Sequence, residues 1–277
     1  MHVADNGRPT GPLVARAGAG WRRARAIARL VALGLWTGTG FSALVVGQAI
    51  VGRTTPRARR FRQGMFKAWC ALVLRTLAID TTVVGRLPEA PYLLVTNHLS
   101  YIDILVLGSR LETVFLARHD LAGWPVIGWA AERLGTLFIN RRDFGDLRAV
   151  NAAIAAVVER GDGLVVFPEG TTTSGRTVSP FRSPVLEPAA ALRLPVAYGA
   201  LRYATPPGEA PAGDAVCWWG DAEFAPHFWG MLHLSRIDAM LSLGPDRLSD
   251  GDRKVLALQL HRKVSALFVP VDRGDDG

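Results

Sequence analysis

Residues 30–52 carry no charged side chain, in a protein whose composition is 20% charged. Coiled into a helix, such a run measures about 34 Å, against roughly 30 Å for the hydrocarbon core of a bilayer. A segment of this kind either enters a membrane or forms a buried helical hairpin, and its flanks favour the membrane. Arg22, Arg23, Arg25 and Arg29 precede it; Arg53, Arg57, Arg59, Arg60 and Arg62 follow. With basic residues on both sides, the positive-inside rule gives no orientation. A cleaved signal peptide has a shorter apolar core and a small-residue cleavage site, so this segment is expected to be retained. A second apolar stretch, 65–79, is broken by Lys67 and Arg75 and is short for a span. It suits an interfacial helix folded back on the first, an arrangement that turns both basic clusters toward cytoplasmic anionic lipid.

The net charge of +8 calls for an anionic partner. Nucleic acid is disfavoured, because 49% of residues are hydrophobic and neither a zinc-finger spacing nor an RNA-binding aromatic motif occurs. Membrane lipid fits better. Cys70 and Cys217 lie far apart, each beside a tryptophan, and read as buried free thiols. His227 and His233 have no acidic or cysteine partner at ligand spacing, so no metal and no cofactor is expected. Gly38-x-Gly40-x-x-Ala43 imitates a dinucleotide fingerprint but sits inside the apolar run rather than at a strand-to-helix turn. Gly34-x-x-x-Gly38 offers a place for helices to approach closely.

The chain is expected to divide into a disordered, Gly-rich tail over 1–20, a membrane-associated helical hairpin over 21–79 and a catalytic domain over 80–277. In that domain, strands are expected at 92–96, 114–117, 136–139, 164–167 and 195–201. Leu147, Val150, Ile154, Val157 and Val158 recur at helical spacing, and Gly161-Asp162-Gly163 ends that helix. Val255, Leu258, Leu260, Val264 and Leu267 mark a covering helix near the C-terminus. Strands alternating with helices predict an α/β domain.

His98 directly follows the 92–96 strand, and Asp103 lies five residues on, at the opening of a helix. That spacing lets the carboxylate hold the imidazole Nδ1–H while Nε2 faces a cleft as a general base. An acceptor hydroxyl can then attack a thioester without a serine nucleophile. Strands also lead into Arg141 and Arg142, where guanidiniums suit a phosphate, and into Phe167-Pro168-Glu169-Gly170-Thr171-Thr172, which brings a carboxylate, a flexible glycine and hydroxyls. Loops at one end of a largely parallel sheet converge on a common crevice.

Four blocks in order, His98 to Asp103, Gly135 to Arg141, Phe167 to Thr171 and the strand opened by Pro195, resemble the lysophosphatidic acid acyltransferase family, the 1-acylglycerol-3-phosphate O-acyltransferases. The resemblance extends over residues 80–205. It implies an αβα sandwich with a mixed, largely parallel sheet behind an N-terminal membrane-bound helical motif. It also implies His98 and Asp103 as catalytic residues, with Asn97, Arg141, Glu169, Gly170, Thr171 and Thr172 toward the substrate. The implied donor is acyl-CoA or acyl-carrier protein, and the implied place is the inner membrane with the catalytic domain facing the cytoplasm.

One position departs from the family. Many members carry arginine after Glu-Gly-Thr, attributed to acceptor phosphate binding, where this chain has Thr172. Thr-rich versions occur in relatives that acylate other lysolipids, and Gly123-Trp124-Pro125 and Trp219-Gly220-Asp221 look like that branch. The expected reaction is acylation of lysophosphatidic acid to phosphatidic acid, with lyso-ornithine lipid or another lysophospholipid as the alternative acceptor. Outside this class stand a lipid hydrolase, disfavoured by the lack of a Gly-x-Ser-x-Gly elbow, and an inactive membrane-binding module, disfavoured by the intact His98 and Asp103.

Overall fold

The computed structural model describes residues 12–52, 55–118, 123, 136–139 and 146–272. Helix α1 (Pro12–Val51) and helix α2 (Pro56–Thr76) open the chain. α1 begins inside the stretch expected to be a tail: proline is tolerated in a first turn, and the alanine, leucine and arginine residues after Pro12 are good helix formers. Its portion Gly20–Val51 is long and apolar enough to cross a membrane: it holds an 18-residue stretch of mean hydropathy 1.6, of which only 11% is buried. Thr55 caps α2 by accepting from the Ala58 amide at 3.1 Å, and Pro56 occupies the first helical position.

The two helices pack antiparallel. A Cβ at Gly47 would meet the Phe61 ring at 2.2 Å, and Trp69 Nε1 donates to Thr37 Oγ1 at 3.3 Å. Gly34 and Gly38, expected to be the close-approach pair, meet nothing within 4 Å, so Gly47 is where the bulkier neighbour nests. On its other side α2 packs on helix α3 (Ile102–Arg110). Gly108 permits this, since a Cβ there would lie 2.7 Å from Phe66 and 2.9 Å from Cys70 Sγ.

Among the described residues seven strands follow: β1 (Ile79–Val84), β2 (Tyr92–Thr96), β3 (Thr113–Arg118), β4 (Leu137–Ile139), β5 (Gly163–Val166), β6 (Val196–Ala204) and β7 (Ile237–Leu243), in the order β1-β7-β6-β2-β5-β3-β4. All neighbouring pairs are parallel except β6 with β7, so β1 and β7 run against the other five. The remaining α-helices among the described residues are α4 (Asp146–Glu159), α5 (Glu187–Ala191), α6 (Ala212–Ala215), α7 (Phe224–Leu232) and α8 (Arg253–Leu267). Successive β2 residues point into opposite apolar layers. Tyr92 and Leu94 join Ile102, Leu107, Met231 and Leu241 on one side, while Leu93 and Val95 join Ile154, Val157, Leu256 and Leu260 on the other. The expected αβα sandwich with a mixed, largely parallel sheet is the fold observed.

Beyond the packing of α2 on α3, hydrogen bonds tie the helical pair to the domain. Arg29 donates to the carbonyls of Leu232 at 3.0 Å and Leu234 at 2.6 Å, and Arg25 donates to that of His233, so both side chains satisfy the C-terminal carbonyls of α7. At the start of α2, Arg59 donates to the carbonyl of Arg160 at 2.9 Å, and Gln63 donates to Asp162 at 3.1 Å, on the turn leading into β5.

Candidate active site

Because β2, β5 and β6 are parallel neighbours, their C-terminal ends lie at one sheet edge, and the chemistry gathers there. His98 leaves the end of β2, and Asp103 is the second residue of α3. The His98 Nδ1–H donates to Asp103 Oδ2 at 2.7 Å, with the carboxylate fully buried and the imidazole 18% exposed. The same Oδ2 accepts from the amides of Leu99 at 2.7 Å and Ser100 at 3.1 Å, which fixes the carboxylate at the helix N-terminus. Asp103 Oδ1 accepts from the Tyr203 hydroxyl at 2.6 Å. An anion with donors on both oxygens holds the imidazole in the Nδ1–H tautomer, leaving Nε2 basic.

The loop after β5 closes over the His98 backbone. Glu169, 3% exposed, accepts from the His98 amide at 2.6 Å through Oε1 and from the Ser179 amide at 2.9 Å through Oε2. Burial pushes the Glu169 carboxyl up to about 7. The Thr173 amide donates to the His98 carbonyl at 2.9 Å, and the Phe167 ring stacks on the imidazole at 4.0 Å between centroids. Both backbone groups of His98 are thus held by this one loop. Gly170 takes a φ of +80°, and the Arg182 side chain lies against it, with Nε 2.9 Å from where a Cβ would be.

Of the residues expected to meet substrate, Gly170, Thr171 and Thr172 lie on this loop, with Thr171 exposed and Thr172 half-buried. Asn97 does not line the cleft. It is 1% exposed, donates to the Leu201 carbonyl at 3.0 Å and accepts from the Leu201 amide at 2.7 Å, which continues the β2–β6 pairing one residue past the strand and aims His98. Glu169 is likewise sealed inside the loop it organises. Arg141, Arg142 and Gly123-Trp124-Pro125, apart from Gly123, lie outside the described residues. Reasoning from the sequence missed Tyr203, whose only cue is a tyrosine in an apolar strand, and Ser179, which carries no cue. It also missed the cluster in which Tyr101, inside the His98–Asp103 loop, bonds His227 Nδ1 at 3.0 Å and packs on Phe224 at 5.1 Å.

Residues 79–198 match the model of the acyltransferase family. The lyso-ornithine lipid O-acyltransferase of Pseudomonas aeruginosa is 36% identical over 213 residues, covering 75% of this chain and 80% of the relative. The 1-acyl-sn-glycerol-3-phosphate acyltransferase of Neisseria meningitidis is 32% identical over 199 residues, covering 70% and 77%. The crystal structure of the 1-acyl-sn-glycerophosphate acyltransferase of Thermotoga maritima shares the fold, with a TM-score of 0.60 at 19% identity over 88% of this chain and 97% of that one. With its histidine and aspartate at one sheet edge and this pattern of relatives, the chain belongs to the acyltransferase family that includes the 1-acyl-sn-glycerol-3-phosphate and lyso-ornithine lipid acyltransferases.

Proposed function

We propose that this acyltransferase uses His98 as a general base to move a fatty acyl group from acyl-CoA or acyl-carrier protein to the free hydroxyl of a lysolipid. The observation that carries the reading is the 2.7 Å hydrogen bond from His98 Nδ1 to a buried Asp103, with Nε2 free of any hydrogen-bond partner among the described residues. Nε2 takes the proton of the acceptor hydroxyl as its oxygen attacks the thioester carbonyl. The tetrahedral intermediate then collapses, the ester forms, and the departing thiolate takes the proton back from the imidazolium. Asp103 stays ionised and stabilises the transient charge pair.

Lyso-ornithine lipid is the acceptor this reading favours, and lysophosphatidic acid is the second. Thr172 removes the guanidinium that phosphate-binding members carry after Glu-Gly-Thr, and the relatives from Pseudomonas aeruginosa and Brucella abortus, at 36% and 34% identity, are both named lyso-ornithine lipid acyltransferases. An anionic headgroup, carboxylate or phosphate, can meet a guanidinium at this loop in Arg182, whose side chain lies against Gly170. The apolar helix α1 and its basic flanks support association with the inner membrane, with the catalytic domain on the cytoplasmic side. The test is kcat/KM of the purified protein with lyso-ornithine lipid, lysophosphatidic acid and lysophosphatidylcholine, in the wild type and in Thr172→Arg. Turnover of lyso-ornithine lipid, shifted toward lysophosphatidic acid by Thr172→Arg, supports the assignment. A wild type that acylates only lysophosphatidic acid reverses the order of acceptors.

A further inference from the structure

Helix α7 has the sequence Phe-Ala-Pro-His-Phe-Trp-Gly-Met-Leu and contains no Asp, Glu, Lys or Arg. Its inner residues are accounted for. Met231 and Leu232 are buried, Phe224 and Phe228 pack on Tyr101, and His227 bonds the Tyr101 hydroxyl and the Cys217 carbonyl. The outer face is left open: Ala225, Pro226 and Gly230 are exposed, and Trp229, which meets the His233 ring edge-on at 5.1 Å, is still 40% exposed. An ordinary surface helix puts charges on that side; a helix apolar all round is covered by protein or by lipid.

The position of α7 says what covers it. Its C-terminal carbonyls are held by Arg25 and Arg29 of α1, the last two charged residues before the uncharged run of 30–52. That end of α7 therefore sits level with the polar edge of the apolar helix. Trp21, one turn before Arg25, is 69% exposed at the same level, and tryptophan collects where water meets hydrocarbon. The other end of α7 begins at Glu223, with Asp221 just before it, both exposed, and these carboxylates keep that end in water.

We propose that α7 is a second membrane contact, lying in the interfacial layer of the bilayer with its Trp229 end deepest. The inference rests on the reading of α1 as the membrane anchor. It gives α7 a role that connects anchor to chemistry: its outer face meets lipid while its inner face holds Tyr101, within the loop that joins His98 to Asp103. Docked in this way, the cleft is held against the surface from which a lysolipid arrives.

The experiment uses the full chain in vesicles of phosphatidylethanolamine and phosphatidylglycerol. A bimane label is attached in turn to Trp229→Cys, to Leu35→Cys on the exposed face of α1, and to Lys254→Cys on α8, which covers the opposite face of the sheet; the native Cys70 and Cys217 are buried. Quenching of the 229 label by spin-labelled lipid, with protection from aqueous iodide, supports the proposal. If 229 is as open to iodide as 254 while 35 is quenched by lipid, the proposal is wrong and the anchor stands. If 35 is also open to iodide, both fail.

Activity supplies an independent measure. Trp229→Glu is expected to lower turnover of a vesicle-embedded acceptor by about tenfold while sparing the same acceptor in a short-chain, monomeric form. An equal fall on both acceptors reduces Trp229 to a structural role, and no fall on either shows that α7 does not touch lipid; each overturns the proposal.

Discussion

Tyr203 donates its hydroxyl proton to Asp103 Oδ1 at 2.6 Å, binding the carboxylate oxygen that His98 leaves unused. Both side chains are fully buried, so the bond is made without competition from water. Tyr203→Phe leaves a dry carboxylate oxygen short of a donor, which is expected to destabilise the fold by about 1.5–3 kcal/mol. The carboxylate that orients His98 also loses one of the bonds that fix it, so kcat is expected to fall by about tenfold. Denaturant titration and initial-rate kinetics check the two effects, and a variant with wild-type stability and kcat counts against this coupling.

His98→Ala removes the proposed base and is expected to lower kcat by about 10²–10⁴-fold. Asp103→Asn is expected to be comparably damaging. Oδ2 of Asp103 accepts from His98, Leu99 and Ser100 together, and Oδ1 accepts from Tyr203. An amide has one accepting atom, so its NH2 group must face at least one of these donors. Single-turnover acyl transfer by the purified variants checks both, and wild-type rates from His98→Ala would falsify the mechanism.

Glu169 gives the protein a stability term that runs against pH. Its folded-state pKa, raised by burial to about 7, lies above the value of 4.5 for an unperturbed carboxyl. The folded state therefore keeps a proton that the unfolded chain releases, so this contribution is complete below pH 4.5 and is lost as pH rises through about 7. Glu169→Gln cannot titrate. Its stability, measured by denaturant titration between pH 5 and pH 8, is expected to lack this decline.

Arg182→Gln is expected to raise KM for anionic acceptors by about tenfold or more, the scale of a hydrogen bond to a charged group, while leaving kcat and the donor KM nearly unchanged. The Arg182 backbone amide still donates to the Pro168 carbonyl, so the loop keeps its shape in the variant. Initial-rate kinetics with each substrate varied in turn separate the two constants.

Arg29→Leu removes the donors for the Leu232 and Leu234 carbonyls, which lie at a buried helix end. The loss is expected to be about 1.5–3 kcal/mol, felt at the junction of α1 and α7. Hydrogen exchange should show faster opening of α7, with β2 and β5 unaffected.

The central strands are legible in the sequence because β2 and β5 are buried on both faces and appear as unbroken apolar runs. β1 and β7 are not. β1 has only Ile79 buried, alternates half-buried and exposed residues after it and contains Asp80 and two threonines, and β7 places Asp238, Met240 and Ser242 on its accessible face. α7 escapes for the opposite reason, since it lacks the polar face that gives a surface helix its period. At the site, the bond between His98 and Asp103 is readable because five residues suffice to bring the two together. The bond between Tyr203 and Asp103 spans 100 residues and exists only once β6 pairs with β2. The sequence places Glu169 at the site, but its turn inward toward the His98 amide depends on how the loop after β5 folds over β2.

The pairing of β1 with β7 sets the timing of assembly. Ile79 is matched with Ile237, so the strand that follows α1 and α2 has no partner until the ribosome has added the last of the sheet. At 5–20 residues per second that wait lasts about 10–30 s. Throughout it, an apolar anchor and an open strand edge coexist on one nascent chain. α1 therefore leaves the ribosome long before the sheet is complete, and a chain cut short after β6 has β1 unpaired, exposed to edge-to-edge aggregation.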